Sequence, residues 1–247
     1  MKYVIIESGS KGNATLIEEE GRILLIDMGI NLKSLISALA TMHKKLLDID
    51  ALLLTHSHSD HICGVKYLDP LPIYCTCDTY NSFNVINIEP FESFNVGCFK
   101  ITPLETSHDA LHSVGYKIET KKQTMIYMTD TGMIPKKSLT LMKNADYYII
   151  ESNHNVKMLR KSKRPELLKL RILSDKGHLS NEDSAIYMSK LVGEKTKEIN
   201  LAHLSEECNT PELALEAYKK VFEKNEIDLK SILLRCANQH ESISGGN

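Results

Sequence analysis

Four side chains able to hold a metal ion fall within the six residues from His56 to His61, in Thr55-His56-Ser57-His58-Ser59-Asp60-His61. The apolar run Ile49-Asp50-Ala51-Leu52-Leu53-Leu54 precedes them and reads as a buried strand, so the cluster arrives where strand gives way to loop. In an extended chain His56 and His58 point to one side, and their imidazoles can converge on one cation. Asp60 and His61 come as the chain turns and can face a second cation beside the first. An exposed histidine-rich turn could carry the same residues. H-x-H-x-D-H straight after an apolar strand is, however, far more specific than an isolated H-x-H.

The other candidates also sit where strands end. His108 lies in Glu105-Thr106-Ser107-His108-Asp109, Asp130 follows Met125-Ile126-Tyr127-Met128, and His203 follows Ile199-Asn200-Leu201-Ala202. Singly, each reads as an ordinary turn, surface or core residue. Loops at the ends of neighbouring strands gather on one rim of a sheet, where ligand sites usually form. His56, His58 and His108 are therefore assigned to one divalent ion, and Asp60, His61 and His203 to a second. Asp130 bridges them, because a shared carboxylate offsets the repulsion of two dications. Open positions would hold a water whose pKa falls toward neutrality, which makes the centre hydrolytic and Asp60 and Asp130 catalytic as well as ligating. Zinc suits the imidazole-rich shell and manganese is common in nucleases; the donor set admits both. Asp27, after the strand Arg22 to Ile26, is either an acceptor for a ligand histidine N–H or a turn residue before Gly29.

Positioning these residues takes strands in both halves of the chain. Lys2 to Glu7, Ala14 to Ile17, Pro72 to Cys75, Phe94 to Thr102, Val114 to Glu119, Thr124 to Met128, Tyr147 to Ile150 and Ile232 to Cys236 are the further strands expected, with irregular chain before Phe94 and a polar tail at the end. Asn31 caps a helix with Leu32, Leu35, Ile36 and Leu39 inward. Thr210 and Pro211 open another with Leu213, Ala214, Ala217, Tyr218 and Val221 inward. Two β-rich layers flanked by helices follow from this alternation. No Pro/Gly/Ser-rich linker divides them, so residues 1–247 are read as a single domain.

Composition sets outer bounds. The chain has 247 residues, 42% hydrophobic and 25% charged, as in ordinary soluble proteins. Neither a signal peptide nor a membrane-spanning run is visible, and six cysteines without a secretion signal suggest a reducing cytoplasm. Cys75 and Cys77 could be half of a zinc site; with no second pair they read as buried thiols in a strand. A net charge of −2 argues against a globally basic nucleic-acid binder but leaves room for a local patch.

The ordered set Asp27, His56/His58/Asp60/His61, His108, Asp130 and His203 resembles the metallo-β-lactamase superfamily over essentially the whole chain. That resemblance implies an α/β fold, a four-layered αββα sandwich with metals at one edge. Ser8-Gly9-Ser10-Lys11-Gly12-Asn13, Tyr127-Met128-Thr129-Asp130-Thr131-Gly132, Glu151-Ser152-Asn153-His154, Gly177-His178-Leu179-Ser180-Asn181 and Ala202-His203-Leu204-Ser205 look like its YycJ branch, also called WalJ or VicX. So does Asn209-Thr210-Pro211-Glu212. The branch is regarded as a bacterial DNA exonuclease that acts from 5′ ends and is linked to mismatch repair. It implies DNA 5′ ends as substrate, mismatch-repair proteins as partners, and Ser10 and Asn13 lining the site.

Between His154 and His178 stand Lys157, Arg160, Lys161, Lys163, Arg164, Lys169 and Arg171, against Glu166 and Asp175. Such a run is usually a solvated helix face. Flanked by two candidate loops, it also suits a phosphate-tracking groove with His154, Lys157, Arg160 and Lys161 as contacts. No aromatic residue interleaves it, so base stacking is not expected from this segment. Ser180 and Asp183 make a capping-box-like helix start, which sets His178 beside N–H groups that favour an anion. His178 then either contacts the scissile phosphate or protonates the leaving oxygen; a purely structural hydrogen bond is the alternative. The function expected is a two-metal hydrolase of DNA phosphodiester bonds, a 5′-to-3′ exonuclease. Its rivals are a hydrolase of a small ester, thioester or cyclic phosphodiester, and a metal-bound partner of a two-component system. His43, His112 and His240 are given no role.

Overall fold

Tyr3-Val4-Ile5-Ile6 and Ile23-Leu24-Leu25-Ile26 are apolar at every position, which suits strands covered on both faces. The computed structural model, which describes residues 1–246, arranges them in that way. One sheet is built from β1 (Lys2–Gly9), β2 (Gly12–Glu19), β3 (Arg22–Ile26), β4 (Ala51–Leu53), β5 (Ile73–Cys75) and β6 (Val85–Asn87). The other is built from β7 (Phe94–Val96), β8 (Phe99–Glu105), β9 (Val114–Glu119), β10 (Thr124–Met128), β11 (Tyr147–Glu151), β12 (Glu198–Ala202) and β13 (Leu233–Cys236). A last strand, β14 (Ile243–Gly245), returns to the first sheet and pairs antiparallel with β1. The spatial orders are β14-β1-β2-β3-β4-β5-β6 and β13-β12-β11-β10-β9-β8-β7.

Helices are α1 (Leu32–Thr41), α2 (Ser59–Ile62), α3 (Lys136–Leu141), α4 (Val156–Lys161), α5 (Glu166–Ile172), α6 (Asn181–Leu191) and α7 (Pro211–Lys224). Alternate residues of the strands feed different layers. Tyr3 and Ile5 join Tyr116, Met125, Tyr147 and Ile149 between the sheets. Val4 and Ile6 pack in a second cluster with Leu35, Ala38 and Leu39 of α1. On the far side, Ile126, Tyr148 and Ile150 meet Met188 of α6 and Ala214, Tyr218 and Phe222 of α7. The result is an αββα sandwich.

Several local expectations shift. Asn31 caps α1 through its side chain, but Ile36 is 49% exposed and Ala38 takes the inward position. On α7 Phe222 is buried, while Leu213, Ala217 and Val221 sit half-buried at the margin. Phe94 to Thr102 breaks into a hairpin at Gly97, whose left-handed φ of 56° suits glycine. The polar tail contains β14, since backbone pairing with β1 asks nothing of side-chain polarity. Cys75 is buried as expected, but Cys77 is exposed in the turn beyond β5.

Direction matters most for the site. β3, β4 and β5 are mutually parallel, as are β10, β11 and β12, and β8 runs with β10 because each is antiparallel to β9. The segments leaving β3, β4, β8, β10, β11 and β12 meet at one edge of the sandwich.

Candidate metal centre

Every residue predicted to hold metal lies just beyond one of these strand ends. Asp27, Asp130 and His203 turn the chain at once through left-handed backbone, with φ of 57°, 53° and 55°. That conformation costs a non-glycine residue about 1 kcal/mol. Each side chain is therefore kept at a position that backbone energetics alone would give to glycine.

The side chains gather into two adjoining groups. His56, His58 and His108 form a near-regular triangle, with ring centroids 4.6, 5.0 and 5.1 Å apart. His108 Nε2 lies 3.3 Å from His58 Nδ1. In the second group Asp60 Oδ2 is 3.6 Å from His61 Nε2 and 3.8 Å from His203 Nε2. Asp130 stands between them: its Oδ2 is 3.3 Å from His61 Nε2 and its Oδ1 is 3.9 Å from His108 Nε2. His56 Nε2, Asp130 Oδ2 and His203 Nε2 are buried with no hydrogen-bond partner. Leaving such atoms unpaired costs about 1–3 kcal/mol each. Cations among them would remove that cost, so the donors fit divalent metal ions.

Hydrogen bonds behind the rings fix which nitrogen faces inward. Asp27 accepts from the Thr55 N–H (2.8 Å), from Thr55 Oγ1 (2.9 Å) and from His61 Nδ1 (2.8 Å). With its hydroxyl proton given to Asp27, Thr55 accepts from His56 Nδ1 at 3.0 Å. One buried carboxylate thus sets the tautomers of two rings and leaves both Nε2 atoms directed at the cluster. Burial raises the Asp27 pKa, against the pull of His61 and the Thr55 bonds. Burial would lower His61, but Asp27 and Asp130 outweigh it and push the imidazole up to about 10. His108 Nδ1 donates to the Gly177 carbonyl at 3.2 Å, so its Nε2 is likewise the inward nitrogen.

Glu151, to which the sequence alone assigns no role, sits at the heart of this arrangement. It ends β11, is fully buried, and its Oε1 accepts from His178 Nδ1 (2.8 Å) and His203 Nδ1 (2.9 Å). Burial opposes ionisation, yet the charge and hydrogen bond of His178 and the bond from His203 hold this carboxyl down to about 2. A carboxylate only accepts, so both histidines carry hydrogen on Nδ1. His203 thereby keeps Nε2 for the cluster and His178 keeps Nε2 for whatever approaches. The signal available in sequence was its position, an acid directly at a strand end.

Other predicted site residues fall differently. Asn13 is buried, and its Nδ2 lies 3.0 Å from both His61 Nε2 and the Gly9 carbonyl and 3.4 Å from Asp60 Oδ2, so it stands beside the ligand atoms themselves. Ser10 is exposed on the loop between β1 and β2. Lys157, Arg160 and Lys161 are exposed on α4. The first turn of α6 holds Glu182 and Asp183, and Ser180 Oγ accepts the Asp183 N–H, so that helix start is a poorer anion site than the sequence suggested. His154 is not on the surface. It is 1% exposed, because Asn153 N–H donates to Leu179 O and Asn181 N–H donates to His154 O, pinning the segment beneath the Gly177–Asn181 loop.

Burial lowers the His154 pKa from 6.5 to about 4, and both its ring nitrogens lack partners. The unfolded chain therefore takes up this proton first as pH falls. Stability from this group is fully present above about pH 6.5 and declines by about 1.4 kcal/mol per pH unit down to about pH 4. Urea midpoints measured across that window should fall more gently for His154→Phe than for the wild type; equal slopes would contradict the account.

Gly29 lets the cluster's loop close. A Cβ there would collide with the Asp60 carbonyl, and Met28 N–H donates to His61 O beside it. Gly29→Ala should destabilise the fold by about 1–3 kcal/mol in urea unfolding and reduce metal content, because relief requires moving Asp60 and His61.

Comparison with known proteins agrees with this geometry. The family model for the beta-lactamase superfamily domain matches residues 22–199. Exodeoxyribonuclease WalJ of Streptococcus pneumoniae serotype 2 (strain D39 / NCTC 7466) is 39% identical, over 86% of this chain and 85% of the relative. Exodeoxyribonuclease YycJ of Bacillus anthracis is 32% identical, over 91% and 90%. Among solved structures, the metallo-beta-lactamase fold protein YhfI from Bacillus subtilis superposes with a TM-score of 0.71 at 20% identity, covering 99% of both chains.

Proposed function

The chain belongs to the beta-lactamase superfamily, and from that premise we propose that it is a metal-dependent DNA exonuclease acting from 5′ ends. Its relatives named exodeoxyribonuclease support the substrate. In this reading His56, His58 and His108 would hold one divalent ion and Asp60, His61 and His203 another, with Asp130 serving both. The imidazole-rich shell favours zinc, and the two carboxylates also admit manganese. Ions held there would lower the pKa of an attacking water and offset charge gathering on the phosphate oxygens.

The observation that carries the nucleic-acid reading is the placing of Arg171. This half-exposed guanidinium on α5 pairs with Asp109, and Asp109 Oδ1 lies 3.3 Å from His108 Nε2. One end of the basic segment therefore reaches the edge of the cluster, and Lys157, Arg160 and Lys161 are exposed on α4. Phosphates can be followed from solvent to the centre along it. In this reading His178, its Nδ1–H held by Glu151, would deliver a proton from Nε2 to the leaving oxygen when the ring carries both protons. The apolar layer shared by the two sheets supports reading the chain as one domain. Kinship with the YycJ branch favours a cytoplasmic task in mismatch repair. Among the described residues no helix is long and apolar enough to cross a membrane.

Duplex DNA labelled at either end tests this directly. Metal-stripped protein should be inert, and restoring zinc or manganese should release the 5′ label first. Intact DNA with both ions, alongside turnover of a thioester, would move the assignment to the small-substrate hydrolases.

A further inference from the structure

A second, chemically distinct donor set lies outside the His/Asp cluster. Cys77, Asp78 and His112 each offer one ligand atom, and these atoms lie within 4.8 Å of one another. All three residues are exposed. Cys77 and Asp78 occupy the turn after β5 in which Thr79 N–H donates to Thr76 O. His112 belongs to the segment between β8 and β9, four residues beyond His108. The two segments are already tied, because Thr76 Oγ1 donates to the His112 carbonyl at 2.7 Å. That bond uses the backbone of His112 and holds the two segments together, while the imidazole keeps both ring nitrogens for a ligand role.

We propose that Cys77, Asp78 and His112 bind a zinc ion separate from the candidate catalytic centre. A thiolate, an imidazole and a carboxylate form a donor set suited to zinc, and a soft sulfur ligand disfavours manganese and magnesium. At zinc–ligand lengths of about 2.0–2.3 Å the three donors would stand about 3.5 Å apart, which rotations of exposed side chains can reach. Cys77 gives up its thiol proton to solvent on binding, and water fills the fourth position. Cys75, two residues back, is excluded: it is buried, and burial pushes its thiol up to about 11. An ion here would clamp the turn after β5 to the segment that carries His108.

Cobalt(II) distinguishes the two centres, because the ligands assigned to the main cluster include no sulfur. Metal-stripped full-length protein reloaded with cobalt should show an intense near-ultraviolet sulfur-to-cobalt absorption. Cys77→Ser and His112→Gln should each lose it while keeping the weak visible bands of cobalt bound by histidine and aspartate. Cys63→Ser, at the other exposed cysteine near the rim, should retain it. Zinc should also protect Cys77 from a thiol reagent in the wild type but not in His112→Gln. Absence of the sulfur band in the wild type, or its persistence in Cys77→Ser, overturns the proposal.

Discussion

Asp130→Asn should lower DNA hydrolysis by about three orders of magnitude and leave the purified protein short of metal. The substitution nearly preserves shape, so the loss reports on charge and on the number of lone pairs. Asp130 points one oxygen toward His61 and the other toward His108. An asparagine keeps one acceptor and turns an NH2 toward the remaining group. Burial would raise the Asp130 pKa, but His203 and His61 outweigh it and hold the carboxyl well below the usual carboxylate range, so it is ionised at any working pH. Elemental analysis and single-turnover rates on end-labelled duplex are the measurements. Wild-type metal content with wild-type activity would show that the two groups do not depend on this carboxylate.

His178→Ala should cost about 10²–10³ in rate on DNA while leaving metal content intact. The same variant should lose far less on bis(p-nitrophenyl) phosphate, whose leaving group departs without a proton. This contrast separates the two roles open to His178. A phosphate contact would be missed equally by both substrates, and an equal loss would therefore refute proton delivery. Glu151→Gln should resemble His178→Ala in rate but differ in metal content, because Glu151 also orients His203 through Nδ1.

Much of this centre could be read from local pattern. An apolar run ending in H-x-H-x-D-H identifies β4 and the loop beyond it without any knowledge of tertiary structure. His108, Asp130 and His203 follow only from the weaker rule that functional residues come after strands. Glu151 follows the same rule, yet its meaning depends on β11 lying between β10 and β12, a pairing of distant segments that local pattern does not reveal. His154 shows the opposite error. A histidine before a lysine-rich stretch looks exposed, but the backbone bonds that bury it come from residues 179 and 181. Ile36 is a subtler case: at helical spacing it borders the apolar stripe, and only the angle at which α1 meets the sheet decides that Ala38 goes in.

The pairing of β14 with β1 bears on how this protein is handled. Tyr3, Val4 and Ile5 lie opposite Gly245, Ser244 and Ile243, so a three-residue segment near the carboxyl end shields one margin of the first sheet. Truncation ahead of Ile243 would strip that margin and present β1's open amides and carbonyls to any strand in reach, including another copy of itself. Loss of solubility in a shortened chain would then have its origin in an uncovered border of the first sheet.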